Sequence, residues 1–219
     1  MNNSLDYTIH LPDDLEKGKK YPVIYAMHGL GSNEENILGL VRELRNDFIL
    51  IGIRGPLQQG NGFAYFTIQG YGNPHREVFD KSIKLLESFI EYAGKTYPID
   101  QDHQYLLGFS QGAILSMTLA LTLGNKVKGI VALSGYIPKF VKEEYPIKSV
   151  ENVSIYLSHG EYDHIFPLTI GKENEEYFKS RSKHVRFTSY LTGHEVSQEN
   201  QQDFTQWIYN DLADDGGEK

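Results

Sequence analysis

Short runs of β-branched, aliphatic and aromatic residues alternate along the chain with longer segments whose apolar positions recur at helical spacing. The runs are Tyr21 to Met27, Phe48 to Ile53, Tyr105 to Phe109, Val127 to Leu133, Val153 to Ser158 and Val185 to Leu191, and each reads as a strand. Glu34 to Arg45, Glu77 to Tyr97, Gln111 to Leu123, Thr169 to Ser182 and Val196 to Leu212 read as helices. Nearly continuous apolar strands joined by helical crossovers imply a mostly parallel sheet covered by helices on both faces, so the fold class is α/β. An earlier extended piece, Tyr7 to Leu11, is followed by the polar turn Pro12 to Lys20. It predicts an antiparallel edge hairpin with Tyr21 to Met27.

A chain of 219 residues suits a single core. We expect one domain over residues 1–213, with 214–219 (DDGGEK) as a flexible tail. The start of the chain lacks the basic and apolar regions of a secretory signal, and no apolar run approaches the ~20 residues of a membrane span, so a cytoplasmic protein is expected. The absence of cysteine excludes disulfides, a thiol nucleophile and thiolate metal sites together. Net charge is -8 without a basic stripe, which argues against nucleic acid as a partner. Nothing in the sequence specifies an oligomeric state.

Function in such sheets gathers beyond the carboxyl ends of the strands. Four unusual segments fall there: His28-Gly29-Leu30-Gly31, Gly108-Phe109-Ser110-Gln111-Gly112, His159-Gly160-Glu161-Tyr162-Asp163 and Gly193-His194-Glu195. All four should face one crevice. Ser110 stands between glycines at a strand-to-helix junction, where a sharp turn lifts the hydroxyl above the sheet. A serine can also merely cap the following helix. As a nucleophile it needs a base, and the base needs a third group to fix its tautomer.

In folds of this type the partners follow in the order serine, acid, histidine. Between Ser110 and the last histidine there is one aspartate, Asp163, followed by His164, His184 and His194. His164 adjoins the aspartate and His184 begins a strand at the far end of the sheet. His194, in the loop after the last strand, is the base this reading selects. Glu161 is an alternative acid.

The tetrahedral intermediate of acyl transfer needs preplaced donors for its charged oxygen. Gln111 opens a helix, so its backbone N–H lacks an intrahelical partner and sits at the positive end of the dipole. The Leu30 N–H, flanked by glycines after an earlier strand, is the expected second donor. Gly29 and Gly31 also begin a dinucleotide-binding spacing, but its third position is Glu34, which would repel a pyrophosphate.

With these residues placed, nearly the whole chain resembles the phospholipase/carboxylesterase family of small α/β-hydrolases, which includes acyl-protein thioesterases and bacterial carboxylesterases. The resemblance rests on His28-Gly29-Leu30-Gly31-Ser32, Arg54-Gly55-Pro56, Ala64-Tyr65-Phe66, Gly108 to Ala113, Leu133-Ser134-Gly135-Tyr136, His159-Gly160 with Asp163 and Pro167, and Gly193-His194-Glu195. It favours Asp163 over Glu161 as the acid. It implies an α/β-hydrolase cleaving small-molecule esters or thioesters without a metal or organic cofactor. Tyr65 stands where relatives often carry tryptophan, and His164-Ile165-Phe166 is bulkier than the usual aliphatic pair before that proline. No stretch is long enough for an inserted lid domain, so an open site is expected. Gly60 to His75, rich in glycine and aromatics, reads as the longest loop. Its Phe63, Tyr65 and Phe66 are expected either to wall the acyl site or to anchor the loop on the core. Three functions follow from this reading: a carboxylesterase for short to medium acyl chains, an acyl-protein or acyl-carrier thioesterase, and a binding protein on a hydrolase scaffold.

Overall fold

The structure, a computed structural model, describes residues 5–70 and 72–214. Seven strands form the main sheet: β1 (Tyr7–His10), β2 (Tyr21–Met27), β3 (Ile49–Ile53), β6 (Ile99–Phe109), β7 (Gly129–Leu133), β8 (Ser154–Gly160) and β9 (Val185–Tyr190). Their order is β1-β3-β2-β6-β7-β8-β9, and every pairing is parallel except that of β1 with β3. A separate hairpin, β4 (Leu57–Gln59) and β5 (Gly62–Ala64), stands over the carboxyl end. The helices are α1 (Glu34–Gly39), α2 (Arg76–Thr96), α3 (Gln111–Leu123), α4 (Lys139–Glu144), α5 (Leu168–Lys179) and α6 (Gln198–Asp214).

Because side chains alternate across a strand, the sheet builds two cores. On one face Val23, Tyr25 and Met27 of β2 pack with Phe79, Ile83 and Leu86 of α2 and Phe178 of α5. On the other, Ile24 and Ala26 pack with Ile37 and Leu38 of α1 and Phe204 and Ile208 of α6. Helix α3 is apolar nearly all round and buried from Gln111 to Leu121, as expected for the helix behind the central strand. This is the α/β-hydrolase fold.

The main departures from expectation concern pairing. β1 does not form a hairpin with β2. It pairs antiparallel with β3, Tyr7 opposite Ile53 and His10 opposite Leu50, leaving β2 inside the sheet between two parallel neighbours. β6 begins at Ile99, which pairs with Tyr21; the polar residues 100–103 form an irregularity in the register at the amino end of the sheet, and pairing resumes at Gln104 opposite Val23. Of the expected tail, Asp214 closes α6, and residues 215–219 lie outside the described residues. Among the described residues no helix is long and apolar enough to cross a membrane.

Candidate active site

The turn from β6 into α3 is dictated by three small positions. Ser110 has φ 53° and ψ -111°, a conformation that side chains rarely adopt and that persists because the surroundings impose it. A Cβ on Gly108 would lie 2.1 Å from the Gly112 carbonyl oxygen, and one on Gly112 would lie 1.9 Å from that of Met27. The glycines are there for close approach of backbone to backbone.

Above this turn the three selected side chains meet. His194 Nε2 lies 2.8 Å from Ser110 Oγ, and His194 Nδ1 lies 2.7 Å from Asp163 Oδ2. The aspartate side chain is fully buried and the imidazole 19% exposed. The other oxygen, Asp163 Oδ1, accepts the backbone N–H groups of Ile165 and Phe166, each at 2.8 Å. Those bonds fix the carboxylate plane. The imidazole packs against Phe109 and Phe166, with ring centroids 5.0 and 5.3 Å away. Glu161 is turned aside, accepting from Ser189 Oγ, while His164 and His184 are exposed.

Both expected oxyanion donors lie beside this turn. Among the described residues neither the Leu30 nor the Gln111 N–H has a hydrogen-bond acceptor. The first belongs to a loop that closely approaches the serine: a Cβ on Gly29 would lie 3.4 Å from that of Ser110. A cavity of ≈ 260 Å³ opens beside His194, lined by Ile37, Leu40, Phe109 and Val196, with Ser32 and Asn36 at its polar side. Another cavity, of ≈ 580 Å³, lies between α2 and the start of β6 and includes none of the candidate residues.

The three aromatics divide. Tyr65 and Phe66 are buried, 0% and 1% exposed, so the expected acyl wall is not built from them. The hairpin folds their rings inward, where Tyr65 stacks on His28 at 4.8 Å and Phe66 meets Phe79 at 4.9 Å. Phe63 alone is half-buried, beneath the Arg54 guanidinium.

Two histidines of the strand-end segments, to which the sequence assigns no role, are buried. His28 donates from Nδ1 to the Gly29 carbonyl and accepts at Nε2 from the Gly55 N–H. His159 donates from Nε2 to the Phe166 carbonyl, 3.5 Å from Asp163 Oδ2. Burial holds both below the ordinary imidazole range, so they stay neutral. The signal was legible: each His-Gly pair ends a strand.

Comparison with known proteins identifies the family. Residues 15–212 match the family model described as Phospholipase/Carboxylesterase. The chain belongs to that family. Acyl-protein thioesterase 1 of Debaryomyces hansenii is 34% identical over 165 residues, 70% of each chain. The protein of the same name from Candida albicans is 32% identical over 170 residues, 71% of this chain and 73% of that one. The carboxylesterase of Bacillus cereus has a similar fold, with TM-score 0.84, 20% identity and 96% of each chain covered.

Proposed function

We propose that this member of the family is a serine hydrolase that cleaves carboxylic esters of short to medium acyl chains through an acyl-enzyme. The observation that carries the reading is the unbroken line from Asp163 Oδ2 through the imidazole of His194 to Ser110 Oγ, with 2.7 and 2.8 Å contacts. Asp163 holds the Nδ1–H tautomer, which leaves Nε2 to take the serine proton as Oγ attacks the ester carbonyl. The carbonyl oxygen becomes an oxyanion between the Leu30 and Gln111 N–H groups. His194 then protonates the departing alkoxide, and water, deprotonated by the same nitrogen, releases the acid. The ≈ 260 Å³ cavity supports small substrates, being just below the roughly 300–1,000 Å³ of ligand pockets.

A thioesterase reading uses the same machinery and is favoured by the two yeast relatives named acyl-protein thioesterase 1. Rates on an acylated peptide thioester and on p-nitrophenyl esters of increasing chain length, with wild type and Ser110→Ala, decide between them. Faster turnover of the peptide thioester would make the ester activity secondary. Failure of Ser110 to label with a fluorophosphonate would favour a binding protein on this scaffold.

A further inference from the structure

The two backbone donors come from separate parts of the chain, residues 29–32 and the start of α3, yet an oxyanion is served only if both point at one spot. Each is tied by a side chain to the hairpin segment 63–66. The Leu30 N–H shares its planar peptide unit with the Gly29 carbonyl, and in a trans peptide the two point in opposite directions. That carbonyl accepts His28 Nδ1–H at 2.7 Å and the Ser32 N–H at 3.2 Å. Holding the carbonyl therefore aims the Leu30 N–H. The imidazole cannot rotate away, because Nε2 accepts the Gly55 N–H at 3.0 Å and the ring lies against Tyr65.

Tyr65 and its neighbours reach the other donor as well. Gln111 Oε1 accepts the Tyr65 N–H at 2.7 Å, and Gln111 Nε2 donates to the Phe66 carbonyl at 2.8 Å. This two-pronged grip fixes the residue whose own N–H is the second donor. The same segment brackets the first loop: the Gly31 N–H donates to the Phe63 carbonyl and the Phe63 N–H to the Ser32 carbonyl, both at 2.8 Å. The Tyr65 hydroxyl accepts the His28 N–H and donates to the Ile53 carbonyl. One short stretch thus holds both halves in register.

We propose that the side chains of His28 and Gln111, linked through residues 63–66, are positioning residues that aim the two oxyanion donors at one point. This rests on the serine-hydrolase reading above. It gives the buried Tyr65 a task that an acyl wall does not require: setting the distance between two backbone N–H groups.

The test compares Gln111→Met, which keeps length but removes both hydrogen bonds, with His28→Asn and His28→Gln. Asn places an amide N–H near the Nδ1 position, whereas Gln does not. Tyr65→Phe, which loses only a hydroxyl, serves if Gln111→Met fails to fold, and Ser110→Ala runs in parallel. The readouts are kcat and KM on p-nitrophenyl acetate and the inhibition constant of an alkyl trifluoromethyl ketone. Serine adds to that ketone, its proton passing to His194, and the hemiketal oxygen takes the oxyanion position. Since deleting a whole donor costs about 10²- to 10³-fold, misaiming one is expected to lower kcat about 10- to 100-fold. KM should move less than about twofold, ketone binding should weaken by the same factor as kcat, and His28→Asn should retain more activity than His28→Gln. Tyr65→Phe is expected to lose about 3- to 10-fold in the same pattern. Two results would overturn the proposal alone: kcat within twofold of wild type in Gln111→Met, or in Tyr65→Phe where the first variant fails to fold, or kcat falling while ketone binding holds. Undiminished turnover by Ser110→Ala would instead sink the triad reading, and the proposal with it.

Discussion

Strands β6 and β7 lie side by side and end alike. Each passes into a serine with a positive φ, 53° at Ser110 and 52° at Ser134, the two non-glycine residues so placed among the described residues. In each, the serine N–H donates at 2.9 Å to a carbonyl at the end of the next strand, Leu133 for one and Ser158 for the other. Yet Ser110 meets an imidazole and opens a long helix, while Ser134 is 2% exposed and leads into Gly135, whose carbonyl is held by Asn174. The imidazoles of the crevice are engaged elsewhere: His194 with Ser110 and Asp163, His159 with the Phe166 carbonyl. On the proposed reading, a strained serine at a strand end is insufficient to make a nucleophile. What distinguishes the two turns is the loop of another strand that brings an imidazole to Ser110.

The sharpest way to break this comparison is to remove each hydroxyl. Ser110→Ala should lower turnover of a p-nitrophenyl ester by about 10⁴-fold or more, whereas Ser134→Ala should stay within about threefold. Comparable losses at both would erase the distinction. The acids divide similarly: Asp163→Asn, which presents the wrong tautomer to Ser110, is expected to cost about 10³- to 10⁴-fold in kcat, and Glu161→Gln less than about twofold. Stability supplies the next step. Gly112→Ala forces a Cβ against the Met27 carbonyl oxygen and should cost about 3 kcal/mol or more in urea denaturation. Gly135→Ala makes a less severe overlap, with the Ala113 methyl at 2.7 Å and the Ile114 backbone nitrogen at 3.1 Å, and should cost about 1–3 kcal/mol.

Relief of backbone strain is smaller. Ser110→Gly and Ser134→Gly should each stabilise the fold by up to about 1 kcal/mol, the relaxed φ outweighing the added freedom of the unfolded chain. The first would do so while abolishing turnover. A fall in stability at either site would deny that these turns store strain.

The smallest expected effect is in pH. His28 and His159 titrate below the ordinary imidazole value in the folded state, chiefly through burial. The unfolded chain therefore binds more protons over that window, and stability contributed by the neutral rings is lost as pH falls below about 6.5. Thermal midpoints between pH 5 and 8 should show this slope, flattened in His159→Gln.

Much of this was legible in the sequence, and for local reasons. Helix α3 runs over the expected span from Gln111 to Leu123, because a close glycine-serine turn starts it and Gly124, at φ 59°, ends it. The four strand-end segments were found because glycine, histidine and serine interrupt apolar runs. What escaped depends on distant partners. Tyr7 to His10 reads as the partner of β2, its neighbour in sequence, and only packing places it against β3 instead. Tyr65 and Phe66 are aromatic whether they wall a pocket or fill a core, and the hairpin that turns them inward was missed despite its Gly60-Asn61 turn. Likewise, the backbone of Gln111 was chosen for its position, but nothing local announces that its amide grips Tyr65 and Phe66.

His194 follows β9, the strand at one edge of the sheet, whereas Ser110 follows a strand at the centre. A chain cut short after Gly160 could carry its hydroxyl and still hydrolyse nothing. Regained turnover after dilution from denaturant thus times the docking of the final edge strand, a clock that needs no added label.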